Sequence, residues 1–240
     1  MRIILFLLLV GTPAILLAQD SSERLKQARA DLAADRYNQA APVYEELCPR
    51  IKTAACWNEL GVVQMSLGGY PRALDSFRRA HTISPDSGLI LSHLALAAFA
   101  ARRRDLAGEY HRKALDREPK NPDIRINYGI YLYRARKYFE AGQQFQRVLR
   151  AHPRNFFARL QLGKTFYATG KHQDALSELD RGIALNANFF ELYYTRALVK
   201  VRTGDMGGAL ADLKRAEKIN PINGRTGPLR KKIKRKMNTY

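Results

Sequence analysis

The chain has 240 residues, with 41 Lys and Arg against 22 Asp and Glu, and its formal charge of +19 and pI near 10.2 favour acidic partners. Two cysteines and five histidines, scattered without HExxH or comparable spacing, offer no zinc site, and neither a nucleophile elbow nor a phosphate loop is present. No catalytic residue, metal or cofactor is expected.

The amino terminus reads as a secretory signal over residues 1–18. Arg2 precedes an apolar core from Ile3 to Val10, Gly11-Thr12-Pro13 breaks it, and Leu16-Leu17-Ala18 supplies a cleavage site. The alternative is an uncleaved anchor, but the apolar run is interrupted by Pro13 and is shorter than the ~20 residues that a spanning helix needs. Export to the periplasm or the medium of a bacterium is the expectation.

From Ala54 to Ser87, Trp57, Leu60, Gly61 and Gln64 recur at helical spacing, Gly68-Gly69 interrupts, and Ala73, Phe77 and Ala80 resume. Two short helices joined by a tight turn are predicted. The pattern returns every 34 residues. Ala40, Ala73, Ala107, Ala141, Ala175 and Ala209 form one column, and Ala28, Gly61, Ala95, Gly129, Gly163 and Ala197 a second, small enough for two helix axes to approach closely. A third column, Tyr44, Phe77, His111, Phe145, Leu179 and Leu213, fills the space that the small columns leave. Pro85, Pro119, Pro153 and Pro221 close the units, with Ala187 in the same place once.

These residues resemble the tetratricopeptide repeat, whose W-x2-L-G-x2-Y, Ala, Phe and Pro pattern is matched best between Trp57 and Pro85. The resemblance implies an all-α, right-handed superhelical solenoid of about six helix-turn-helix repeats, at about 21–53, 54–87, 88–121, 122–155, 156–189 and 190–223, within a 19–221 solenoid. The first copy departs most, with Lys52 where the proline is expected and Pro42 inside its second helix, where a kink is expected.

Cys48 and Cys56 flank the junction between the first two repeats. In an exported protein they are expected to pair; two buried packing thiols are the alternative. Beyond Pro221, residues 224–240 form a basic tail in which Leu229, Ile233 and Met237 share a helix face. A capping helix is predicted, apolar toward the last repeat, with Arg230, Lys231, Lys232, Lys234, Arg235 and Lys236 in water.

The family resemblance assigns fixed offsets of each first helix to a concave groove. Carried over, these give Met65, Phe99, Tyr133, Tyr167 and Val201, with Asn58, His93, Asn127, Arg134, Phe157, Gln161, Lys164, Tyr194 and Arg202 beside them. Such a surface suits an extended peptide; the alternative is that Phe99, Tyr133 and Tyr167 only pack between repeats. The family's carboxylate clamp is matched poorly, since Ser92 and Leu96, then Phe157 and Gln161, stand around Asn127. The reading is a non-enzymatic scaffold of the cell envelope that binds another exported or envelope protein. The competing class is an electrostatic binder of anionic polymer or membrane surface through Arg102, Arg103, Arg104 and the tail, with nucleic acid disfavoured by export. His111 reads as an interior histidine and His172 as an exposed turn residue.

Overall fold

The computed structural model describes residues 13–237, which form helices and the turns between them with no strand among the described residues. Of the expected leader, residues 1–12 lie outside the described ones, and residues 13–18 begin the first helix. No helix among the described residues is long and apolar enough to cross a membrane.

The chain divides into two compact units, Met1–Arg117 and Glu118–Tyr240. In the first, α1 (Pro13–Ala33) packs on α2 (Tyr37–Ile51), α3 (Ala54–Ser66) on α4 (Tyr70–Ile83) and α5 (Gly88–Ala100) on α6 (Arg104–Arg117), with neighbouring pairs joined through α2 against α3 and α4 against α5. The second unit repeats this with α7 (Pro122–Arg134) on α8 (Tyr138–Ala151), α9 (Phe156–Ala168) on α10 (His172–Leu185) and α11 (Phe190–Thr203) on α12 (Met206–Ile219). A last helix, α13 (Thr226–Met237), packs on α12. Pro42 does not end α2, which continues to Ile51.

Local chemistry sets the helix ends. Thr53, Ser87, Asn121 and Asn155 each stand just before the first helix of a pair and accept a hydrogen bond from its first turn. The next residue in that register is Phe189, which makes no such cap and instead packs edge-on against Phe156 at 5.2 Å. Within each pair the turn passes through one left-handed residue: Asp35, Gly68, Arg102, Arg136, Gly170 or Gly204. Glycine meets that geometry without strain, whereas Arg102 and Arg136 adopt it with φ of 64° and 62°.

The three periodic columns meet inside the pairs. All six alanines of the first column are fully buried, and so are Tyr44, His111, Phe145, Leu179 and Leu213 of the third. A Cβ on Gly61 would lie 2.5 Å from the Phe77 ring and one on Gly129 2.6 Å from Phe145. A Cβ on Gly163 would lie 2.9 Å from Leu179, and Ala197 packs in one cluster with Leu213.

Cys48 and Cys56 are joined in the structure, with Cα atoms 5.4 Å apart, and the bond ties α2 to α3. Closing this short loop restricts the unfolded chain. Reduction is expected to lower the stability of the first unit by about 2–3 kcal/mol. Thermal melts with and without reductant, beside a Cys48→Ser/Cys56→Ser variant, check this; an unchanged midpoint would refute it.

The carboxyl-terminal helix differs in part from expectation. Ile233 is fully buried and Leu229 packs beside it against Leu213 and Ala209, but Met237 is 48% exposed. Arg230 does not stand free in water, since it forms an ion pair with Glu217 of α12. Lys231, Lys232, Lys234, Arg235 and Lys236 are exposed.

Candidate functional site

The first helices of the second unit, α7, α9 and α11, face a common cavity of about 500 Å³. α7 contributes Ile130, Tyr133 and Arg134, and α9 contributes Phe157, Gln161, Lys164 and Tyr167. From α11 come Glu191, Tyr194, Thr195 and Leu198, and Arg225 arrives from the turn before α13. Seven of the expected groove residues, Tyr133, Arg134, Phe157, Gln161, Lys164, Tyr167 and Tyr194, are thus brought together.

The remaining expected residues lie elsewhere. Asn127 is half-buried on α7 and Arg202 is exposed near the end of α11, and neither lines the cavity. Met65 and Phe99 belong to the first unit, where both are half-buried. In that unit Asn58 and His93 are engaged with each other, Oδ1 to Nδ1 at 2.7 Å. Burial pushes the His93 imidazole down to about 4.

The aromatic column is both packing and surface. Tyr133 meets Tyr138 edge-on at 5.4 Å and rests on the core around Phe145, while its other side borders the cavity. Burial, then the neighbouring Tyr138 and Tyr167, hold its hydroxyl above the usual tyrosine range. Tyr167 packs on His172 at 5.9 Å and on the core around Leu179. His172 is accordingly half-buried rather than the exposed turn residue expected.

Charge is gathered at the α11 end. The Arg225 guanidinium stacks 4.4 Å from the Tyr194 ring centre and 5.1 Å from that of Phe190, two rings that are themselves parallel at 5.7 Å. It also pairs with Glu191, whose other oxygen is 3.8 Å from Lys164 Nζ. Burial lowers the Lys164 pKa, Glu191 opposes this, and Arg225 and Arg134 add to the lowering. One carboxylate therefore stands against three cations. The surface offers aromatic faces for apolar side chains and cations for acidic groups.

Glu191 and Arg225 were not expected at the site, yet a signal for them exists. Phe157, Glu191 and Arg225 stand at the same offset in successive 34-residue windows. Keeping that register past Pro221 places α13 where the first helix of a seventh unit would begin.

The other expected anion-binding group, Arg102 to Arg104, lies at the turn into α6. Arg102 and Arg103 border a cavity of about 410 Å³ with Tyr70, Asp75 and Arg78, whereas Arg104 does not line it.

The tetratricopeptide repeat family model matches residues 25–88, 93–156 and 160–222. Among solved structures, a tetratricopeptide repeat protein from Parabacteroides merdae superposes with a TM-score of 0.78 at 16% identity, over 93% of this chain and 86% of that one. YrrB, described as a tetratricopeptide repeat protein with an unusual peptide-binding site, gives 0.54 at 17% identity, over 78% of this chain and 97% of its own. A chain of the Cut9–Hcn1 hetero-tetramer of the APC/C gives 0.76 at 16% identity over 89% of this chain, which spans only 42% of that longer one. Comparison of the sequence with curated proteins finds no match.

Proposed function

The chain belongs to the tetratricopeptide repeat family, and from that premise we propose that it is a non-enzymatic scaffold whose second unit holds an extended segment of a partner protein in its groove. The observation that carries this reading is the convergence of Tyr133, Phe157, Tyr167 and Tyr194 with Lys164 and Arg134 on one open cavity. Apolar side chains of the segment lie against the rings, and its acidic groups meet the cations. The peptide site named for YrrB agrees with such a use of the fold. The partner is an exported or envelope protein, on the strength of the Arg2, apolar run and Ala18 order; intact-mass analysis of the processed chain tests export.

Tyr133→Ala and Tyr167→Ala are each expected to weaken capture of envelope partners by about tenfold, as loss of a central aromatic anchor does. A second reading rests on the exposed Lys231, Lys232 and Lys234 of α13, which suit an anionic polymer or membrane surface. Pull-downs from the native envelope with the tyrosine variants and with a neutralised tail separate the two. Loss of all partners in the tail variant alone, with steep salt dependence, would overturn the groove reading.

A further inference from the structure

Away from the groove, the second unit contains a cavity of about 590 Å³ beside the turn before α7, walled by Pro119, Lys120, Arg125, Arg147, Val148 and His152 among others. It shares no residue with the groove. Its chemistry becomes legible by comparison with the next repeat of the same chain. There, Arg159 donates to the Pro153 carbonyl at 2.7 Å and to Glu178 at 2.6 Å, and Arg181 pairs with the same carboxylate at 3.2 Å. Two guanidinium groups thus share one acid.

One repeat earlier the same frame is built without the acid. Arg125 donates to the Pro119 carbonyl at 2.5 Å and to Gln144 Oε1 at 3.1 Å, so an amide stands where Glu178 stands. Arg147, in the register of Arg181, has no ion-pair partner among the described residues, and no acidic side chain lines the cavity. Glu118, close in sequence, accepts instead from the side chain of Asn121 at 2.7 Å. The Arg125 pKa is lowered by burial and by the neighbouring Arg147 charge, consistent with an uncompensated pair. Part of the lining is apolar, contributed by Val148, Ala151, Pro119 and Pro122.

We propose that this cavity is a binding site for a carboxylate joined to a short apolar group, the carboxylate bridging Arg125 and Arg147 as Glu178 bridges Arg159 and Arg181. The ligand carboxylate supplies the charge that Gln144 lacks, and its apolar part covers Val148 and the prolines. A free organic acid and the carboxyl terminus of a partner chain share this chemistry.

The test titrates hexanoate, and separately a short peptide ending in a free leucine carboxylate, into the whole chain, each beside its amide. Calorimetry and the Arg Nε–H resonances report binding. At least one carboxylate is expected to bind saturably and about tenfold or more tighter than its amide, the loss that follows from removing a charged hydrogen-bond partner. Gln144→Glu, which installs the acid that the next repeat already carries, and Arg147→Gln, at an exposed position, should each reduce that binding about tenfold or more. Lys164→Gln in the groove should leave it unchanged. Binding of hexanoate identifies a free acid as sufficient, and binding of the peptide alone identifies a chain terminus. The proposal is overturned if neither carboxylate binds, if the amides bind equally, if either cavity variant binds like the natural chain, or if inorganic phosphate binds more tightly than both carboxylates.

Discussion

Acidification from pH 7 toward pH 4 is expected to destabilise the first unit by on the order of 5 kcal/mol, because two interior imidazoles there must stay neutral for the fold to persist. His111 is fully buried in the third column and burial pushes it down to about 3; His93, packed 5.3 Å from the Phe77 ring, is pushed down to about 4. Both lie below the ordinary value of 6.5 that the unfolded chain retains. Between these values the unfolded state binds more protons than the folded one. Stability is therefore full above about pH 6.5 and is lost as the pH falls toward the folded values, after which the loss levels off. His111→Leu should raise stability below pH 6 and flatten the profile, since Leu213 already packs opposite Ala197 as leucine would opposite Ala95. Denaturant titrations from pH 7 to pH 4 decide it; parallel profiles for the two chains would refute the assignment to His111.

Asp212→Ala should lower stability of the second unit by about 3–5 kcal/mol, the usual consequence of removing one member of a buried ionic network. The Asp212 side chain is only 5% exposed and accepts from Arg196 Nε at 2.9 Å, Arg196 Nη2 at 2.5 Å and Lys200 Nζ at 3.0 Å. Arg196 also reaches Asp180 at 2.6 Å, so α10, α11 and α12 are held through one guanidinium. Its hydrogen bond with Asp212 is the main reason that the Arg196 pKa is raised. Without Asp212, two half-buried cations would face each other with Asp180 alone to compensate. Asp212→Asn keeps the shape and some acceptor capacity and should lose less. Chemical denaturation of both variants measures the difference; an alanine variant within about 0.5 kcal/mol of the natural chain would contradict the role given to Asp212.

The helix pairs were legible because small and large residues recur in fixed phase, and the columns of Ala40 and Tyr44 describe the interior that the structure shows. The polar series Gln144, Glu178 and Asp212 follows the same period, but hydrophobic patterning gives no reason to place acids inside. Gln144 and Asp212 are buried and Glu178 half-buried because arginines on the preceding helices, Arg125, Arg159 and Arg196, meet them. At the groove, seven residues follow from helix offsets, whereas Arg225 lies past the last proline, in the segment that reads as a basic tail. Its position depends on stacking over Phe190 and Tyr194, which spacing alone does not express. Met237 shows the opposite error: helical spacing puts it on the face of Ile233, yet Ile233 is fully buried and Met237 is exposed.

An array of repeats opens most readily from its ends, because a terminal pair has a neighbour on one side only. Here the two ends are closed by different means. At the amino-terminal end the Cys48–Cys56 bond fastens the first pair to the second covalently, so α2 cannot peel from α3 without α3 also giving way near Cys56. At the other end α13 is held by Ile233, Leu229 and the Arg230–Glu217 pair, contacts that can break one at a time. Amide exchange should consequently be fast and shallow in α13 and slower around Cys48. Adding reductant would let the pair α1–α2 fray from α3 as well, so that the first unit loses the covalent closure that the α13 side of the second unit never has.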